Sequence, residues 1–379
     1  MKRLFYTLLF CLPCVLIACG GSDDTLGGDD NPPVVVPPDE ETVDSRLLYN
    51  GIRLPEQWPP VRSSSSELEK GMSPFYLSNK PSVINISVGR QLFVDNFLIE
   101  STNLKRTFYY PEYYSGNPIL TPEQDWEKTG TKGAAFAAPF SDGVWYDEKE
   151  GKYKMWYMAG GGSYATNGAG ITCYAESTDG IRWTKPTLSI VAGTNIVDYN
   201  SERDASVIWM DKQESNASKR YKMFLVARES GKWRYHYKTS PDGKVWRAAA
   251  QSEPIADRST VYKNPFRNVW VYSMRHNVRV NANKLVRARD YNENADPEAG
   301  TKKAEALLSA FWFGPWANEQ RHTDYPNIAP AIYNQDATPY ESIMLGFFSV
   351  WQGPENDVCA SDNVIKRNQV MVGYSRDGY

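Results

Sequence analysis

Four aspartates hold the same kind of place in this chain. Asp142 stands in SDGVWYD (141–147), Asp204 in SERDASVIWMD (201–211), Asp257 in DRSTVYKN (257–264) and, more loosely, Asp324 in DYPNIAPAIYN (324–334). Each comes shortly before a run that reads as buried strand. A carboxylate in that position is often only a turn former that bonds nearby backbone, and Ser141-Asp142-Gly143 reads equally well as a plain turn. A register that recurs asks for more. Carboxylates brought together raise one another's pKa, so that one stays protonated as an acid while another activates water or attacks. Arg203 and Arg258, adjacent to two of the four, are placed to hold a carboxylate ionised or to grip a substrate.

The elements that position these residues repeat. GVWYDEKEGKYKMWYMAG (143–160) with ITCYAESTDGIRWTKP (171–186) has the order strand, polar hairpin, strand, loop, then a strand closing in S-x-D-G-x-x-W. The same order returns in 205–229 with 233–249, more weakly in 259–277, and again in 328–351 with 368–379. Asp-Gly recurs at Asp179-Gly180, Asp242-Gly243 and Asp377-Gly378, a pair that tolerates the positive φ of tight turns. Trp183 and Trp246, three residues beyond, can fold back onto their own blades. Units of this length, each an antiparallel meander, spell an all-β chain folded as a β-propeller. Four units plus strand-like segments in 85–126 lead us to expect five blades of four strands, the last one unfinished at Tyr379. Helical pattern is nearly confined to 296–312.

In a propeller the inner strand of each blade runs along the central axis, so the four aspartates are expected at one mouth. The second strand returns to the same face, and its exit end carries Arg228-Glu229, Arg275-His276 and Trp351-Gln352, then Glu355. Glu229 and Glu355 are thus further candidate acids, and Arg275, His276 and Trp351 candidate substrate contacts. The competing readings are a solvated charge pair for Arg228-Glu229 and a satisfied loop histidine for His276. A cluster of carboxylates and carbonyls at the axis also suits Ca²⁺, which takes oxygen ligands, although no cofactor is required.

Composition narrows the class. The chain has 379 residues, 41% hydrophobic and 23% charged, with a net charge of −3 and no basic block, which argues against a nucleic-acid partner. Its 12 Trp and 24 Tyr suit sheet cores and also stack on sugar rings. His236, His276 and His322 lack metal-ligand spacing. The first residues, MKRLFYTLLFCLPCVLIAC, set two cations before an apolar run too short to span a membrane comfortably. The run ends in Leu-Ile-Ala-Cys, which resembles a bacterial lipobox with Cys19 as the lipidated residue; an ordinary secretory signal is the alternative. An acidic, Pro-rich stretch follows, too poor in apolar residues to build a core. The expected organisation is a signal over 1–19, a flexible tether over 20–44, an N-terminal extension over 45–84 and the propeller over 85–379. The expected location is the outer membrane or cell surface, with the monomer lipid-anchored through Cys19. Cys173 and Cys359, far apart in sequence, are either two separate buried thiols or a pair.

LFVDNFLIE, NPIL, GVWYDEKEGKYKMWYMAG, the S-x-D-G-x-x-W turns and YES…GFFSVWQGPEN resemble secreted proteins of Bacteroidetes type assigned to the five-bladed propeller glycoside hydrolases, the superfamily of families 32 and 43. The resemblance covers roughly residues 85–379. Arg203-Asp204 is similar to the Arg-Asp-Pro of family 32, with Ala205 at the proline position; the W-M-N-D-P-N-G and Glu-Cys signatures of that family are not present. It implies a surface-anchored hydrolase cutting glycosidic bonds of polysaccharide or oligosaccharide, with paired carboxyl groups at the axis. The alternatives are a glycan-binding lipoprotein of an uptake system, which needs aromatic residues but no carboxylate pair, and a propeller with a purely structural role.

Overall fold

The computed structural model describes residues 44–62, 73–128, 135–165, 170–281, 284–305 and 309–379; the signal and anchor expected over 1–19, Cys19 included, lie outside them. Four antiparallel meanders follow one another. In the first blade, β1 (Ala137–Ala138) and β2 (Val144–Asp147) share the inner position, both paired to β3 (Lys152–Ala159), which is followed by β4 (Gly170–Ser177). The fifteen-residue β5 (Ile196–Met210) serves two blades. Its first half pairs with β4, and its second half is the inner strand of the next blade, paired to β6 (Tyr221–Glu229). That second blade continues through β7 (Lys232–Ser240) and β8 (Arg247–Gln251). The third blade is β9 (Thr260–Asn264), β10 (Val269–Asn281), β11 (Lys284–Asn294) and β12 (Ala310–Phe313). The fourth has β13 (Ala331–Tyr340), β14 (Ile343–Gly353) and β15 (Arg367–Ser375).

The inner strands meet in sequence. Ile208 N–H donates to Asp142 O at 2.7 Å, Arg258 N–H to Asp204 Oδ2 at 2.7 Å, and Thr260 Oγ1 to Gln335 O. Ser141 Oγ donates to Asp336 Oδ2 at 2.9 Å, so the fourth blade touches the first. This succession of meanders around one line is the propeller arrangement. Four blades are seen among the described residues. Residues 85–126, expected to lend strands to a fifth, contain none.

Each blade turn is built from its sequence. Gly180 N–H donates to Ser177 Oγ at 2.9 Å, Gly243 N–H to Ser240 Oγ at 2.9 Å and Gly378 N–H to Ser375 Oγ at 2.8 Å, while Asp179, Asp242 and Asp377 each accept from backbone beyond the Gly. Trp183 folds back as expected, its Nε1–H donating to Gly180 O at 3.1 Å. Aromatic residues fill the space between blades: Trp156, Tyr174 and Tyr221 in one cluster, Trp209, Phe224, Trp270 and Tyr272 in another. Trp312 is buried in the second of these, and Trp351 in a further layer with Val286 and Ala288, each 5% exposed. Of the 296–312 stretch, Pro297–Lys303 is helical, capped by Asp296 accepting from Ala299 N–H at 2.7 Å. Residues on both sides of position 84 share a satellite core of Leu48, Ile52, Leu54, Tyr76 and Phe97. Cys173 and Cys359 are both free thiols, the first buried.

Candidate functional site

Each blade is irregular within or just before its inner strand. The first breaks between β1 and β2, at Gly143 with φ 113. The second has a register shift between Arg203 and Ser206, at Asp204, and the fourth between Ile332 and Asn334, at Tyr333. Before the third, Arg258 holds φ 55, a conformation uncommon for a residue with a Cβ and one that clusters at functional sites. Such irregularities turn side chains out of the alternating pleat and toward a common point.

Asp204 and Asp257 meet there. The Asp204 carboxylate accepts from the Arg258 backbone N–H and pairs with Arg258 Nη2 at 3.2 Å, one residue from Asp257, which pairs with Arg275. Burial raises the Asp204 pKa against the opposing charge of Arg258, and the neighbouring Asp257 raises it further. Asp142 lies deeper. It is fully buried and accepts from Arg203 Nη2 through both oxygens at 2.7 Å, an ion pair out of reach of a ligand. The expected substrate contact Arg203 is consumed by that pair.

Asp336, on β13, is the acid that sequence reading missed. It accepts from Ser141 Oγ at 2.9 Å and Asn334 Nδ2 at 2.7 Å. Burial pushes its carboxyl up to about 6, with these donors and the charge of Arg289 opposing. Arg289 is fully buried and donates to Arg258 O at 2.6 Å and Tyr333 O at 2.9 Å, tying the third and fourth blades together. Burial lowers its pKa to about 10, so it is still a cation at neutral pH. Arg258 Nε, Arg289 Nε and Asn334 Oδ1 are buried without a hydrogen-bond partner among the described residues.

The remaining expected residues lie elsewhere. Asp324 is exposed in the loop before β13, its backbone N–H donating to His322 Nδ1 at 3.1 Å. Turns from His322 O to Tyr325 N and from Tyr325 O to Ile328 N place it seven residues before the strand. The structure does not bring it to Asp204 and Asp257; Asp336 occupies the fourth blade's axial place. Glu229 sits at the β6–β7 hairpin, exposed and bonded to Gln251, and Arg228 pairs with Glu202 at 3.0 Å. Glu355 is exposed at the start of the helix Asn356–Asp362. His276 Nδ1 meets the buried Asp290 at 3.1 Å, and that hydrogen bond raises the His276 pKa. Trp351 packs in the layer between the third and fourth blades with Val286 and Ala288. Among the described residues no group of three or more His, Cys, Asp or Glu side chains is placed to hold a metal ion.

Fold and site together define a β-propeller with an axial cluster of carboxyl and guanidinium groups. No protein-family model matches the chain, and no curated protein matches it. Solved structures do. A fructofuranosidase variant from Schwanniomyces occidentalis complexed with fructosylnystose is 12% identical, with 69% of this chain and 46% of that one covered and a TM-score of 0.42. An alpha-L-arabinanase from Cellvibrio cellulosa complexed with arabinohexaose is 8% identical, with 70% and 82% covered and a TM-score of 0.43. A GH32 beta-fructofuranosidase from Bombyx mori is 13% identical, with 61% and 46% covered and a TM-score of 0.37. The chain thus spans less than half the length of the two fructofuranosidases. At such scores neither reaction nor substrate passes from these proteins to this chain.

Proposed function

We propose that the protein is a glycoside hydrolase acting on polysaccharide or oligosaccharide at the propeller axis, exported and anchored to the cell surface through Cys19. One set of contacts carries the catalytic part: Asp204 on β5 bonds to Arg258, beside Asp257 at the foot of β9, and the buried Arg289 bonds to Arg258 O and to Tyr333 O of β13 while lying near both Asp257 and Asp336. Hydrolysis of a glycosidic bond takes one carboxyl group that keeps its proton and one that is ionised. Asp336, pushed up to about 6 by burial, is assigned the acid role. Asp257, paired with Arg275 and a third exposed, is assigned as base or nucleophile, and Asp204 orients the sugar through Arg258. Asp336→Asn and Asp257→Asn should each lower turnover of a cleaved glycan by at least about a hundredfold, the lower range of a general acid or base, with glycan binding retained. Turnover within a few-fold of wild type in both variants would remove these roles.

A second reading has its own support. Both Asp204 and Asp257 are engaged by arginine, as suits a cluster that binds rather than reacts. A glycan-binding lipoprotein would hold oligosaccharides tightly and release no reducing ends on prolonged incubation, which separates it from the hydrolase.

A further inference from the structure

Most arginines around the axis are spoken for. Arg203 pairs with Asp142, Arg258 with Asp204 and Arg275 with Asp257, while Arg289 donates to the carbonyls of Arg258, Ser273 and Tyr333. Arg287, on β11, differs. Its guanidinium lies 5.4 Å from the ring centroid of Tyr333 and 5.6 Å from that of Trp351. It is half-buried, and no carboxylate or hydrogen-bond acceptor among the described residues meets it. The same Tyr333 ring lies 5.3 Å from the guanidinium of Arg258. A row therefore leads from Asp204 through Arg258 and Tyr333 to Arg287.

Aromatic faces hold a guanidinium by its flat side and leave its N–H groups without partners. A planar fork of parallel donors matches the two oxygens of a carboxylate. A sulfate ester has three terminal oxygens to satisfy, and this position offers one unpaired fork. Resting on the glycan reading of the axial site, we infer that Arg287 binds the carboxylate of a uronic-acid unit, so that the ligand is an acidic glycan. Trp351, expected as a substrate contact, acts here as the support under the cation. Tyr333 fixes the distance between this carboxylate grip and the acids at the axis.

The test uses the full chain and four uronate polymers (pectic galacturonan, alginate, glucuronoxylan and heparosan), each intact and after reduction of its carboxyl groups to alcohols, with a sulfated galactan beside them. Binding is read by calorimetry for wild type, Arg287→Met and Arg287→Lys, with thermal melting to confirm folding. The expected result is that at least one intact polymer binds, and that carboxyl reduction or Arg287→Met weakens it by about 10- to 100-fold, the scale of a hydrogen bond to a charged group. Arg287→Lys should retain part of the affinity. Equal binding of intact and reduced polymers, or of wild type and Arg287→Met, overturns the inference and leaves the glycan reading standing. Arg287-dependent binding of the sulfated galactan alone overturns the choice of carboxylate. Binding to no glycan, neutral reduced forms included, removes both.

Discussion

A carboxyl group moves up in pKa when water is withdrawn from it without a cation to take water's place, and at the axis the cations are unevenly shared. Asp142, Asp204 and Asp257 each have a guanidinium in contact. Asp336 has hydroxyl and amide donors instead, with Arg289 acting only through space. Two consequences follow from its rise from 3.8 to about 6. If Asp336 is the acid, kcat/KM should fall as pH rises through about 6, and Asp336→Asn should lose that limb along with the rate. The second is a stability effect. Between about pH 4 and 6 the folded state holds a proton that the unfolded chain has released, so stability falls as pH rises through that window and levels off above it. The drop is about 3 kcal/mol at most. Urea midpoints of Asp336→Asn should vary less over pH 4–6 than those of wild type; parallel curves would place the titration elsewhere. Asp204, Asp257 and Arg258 were legible because each stands close to the foot of an apolar strand. Asp336 was hidden in Asn334-Gln335-Asp336, three polar residues within β13, where a polar axis replaces the apolar alternation by which strands are recognised. Asp324 misled because intervening turns, invisible to spacing, separate it from that strand.

At the scale of elements, the Asp-Gly turns were readable from sequence because a short motif makes all of their hydrogen bonds locally. The double duty of β5 was not, since the switch from outer to inner strand depends on which neighbours pair with each half. The same holds for the interruptions at Asp204 and Tyr333, which are set by register between strands. The second blade's turn also couples blades. Trp156 Nε1–H of the first donates to Gly243 O at 2.6 Å, and a Cβ on Gly243 would lie 2.3 Å from that indole. Gly243 has φ 75 and Gly231, in the β6–β7 hairpin, φ 77, but nothing lies within 4 Å of a Cβ at Gly231. Backbone strain alone predicts about 1–2 kcal/mol for alanine at either position. Gly243→Ala should therefore cost clearly more than Gly231→Ala in chemical denaturation, because a fully buried Trp156 has nowhere to move. Equal losses would mean that the turn and Trp156 are not tightly packed in solution.

For the whole molecule, the question is what secures the fourth blade, whose strand β15 has three half- or fully exposed apolar residues in a row, Val370, Met371 and Val372. The answer in the structure is the N-terminal segment. Asp95 accepts from Arg376 Nη2 at 2.9 Å and from Arg376 Nε at 3.1 Å, with the side chains 4% and 1% exposed. Asn50 Nδ2 donates to Arg376 O at 3.0 Å, and Tyr374 OH to Val94 O at 3.0 Å. The buried pair is the core of this latch. Replacing such a pair by apolar residues of similar size is often neutral, whereas removing one partner strands a buried charge at about 3–5 kcal/mol. Asp95→Ala should accordingly lower the thermal midpoint sharply, and Asp95→Leu combined with Arg376→Met should recover most of the loss. Glu298→Ala, which breaks the exposed pair with Lys302, should change little. Limited proteolysis reports on the same contact from the other side, with cleavage around residues 88–100 appearing in Asp95→Ala before the blades themselves are cut. If Asp95→Ala melts with Glu298→Ala, or the double substitution is as damaging as the single one, the N-terminal segment is a passenger and the fourth blade stands on its interface with the third.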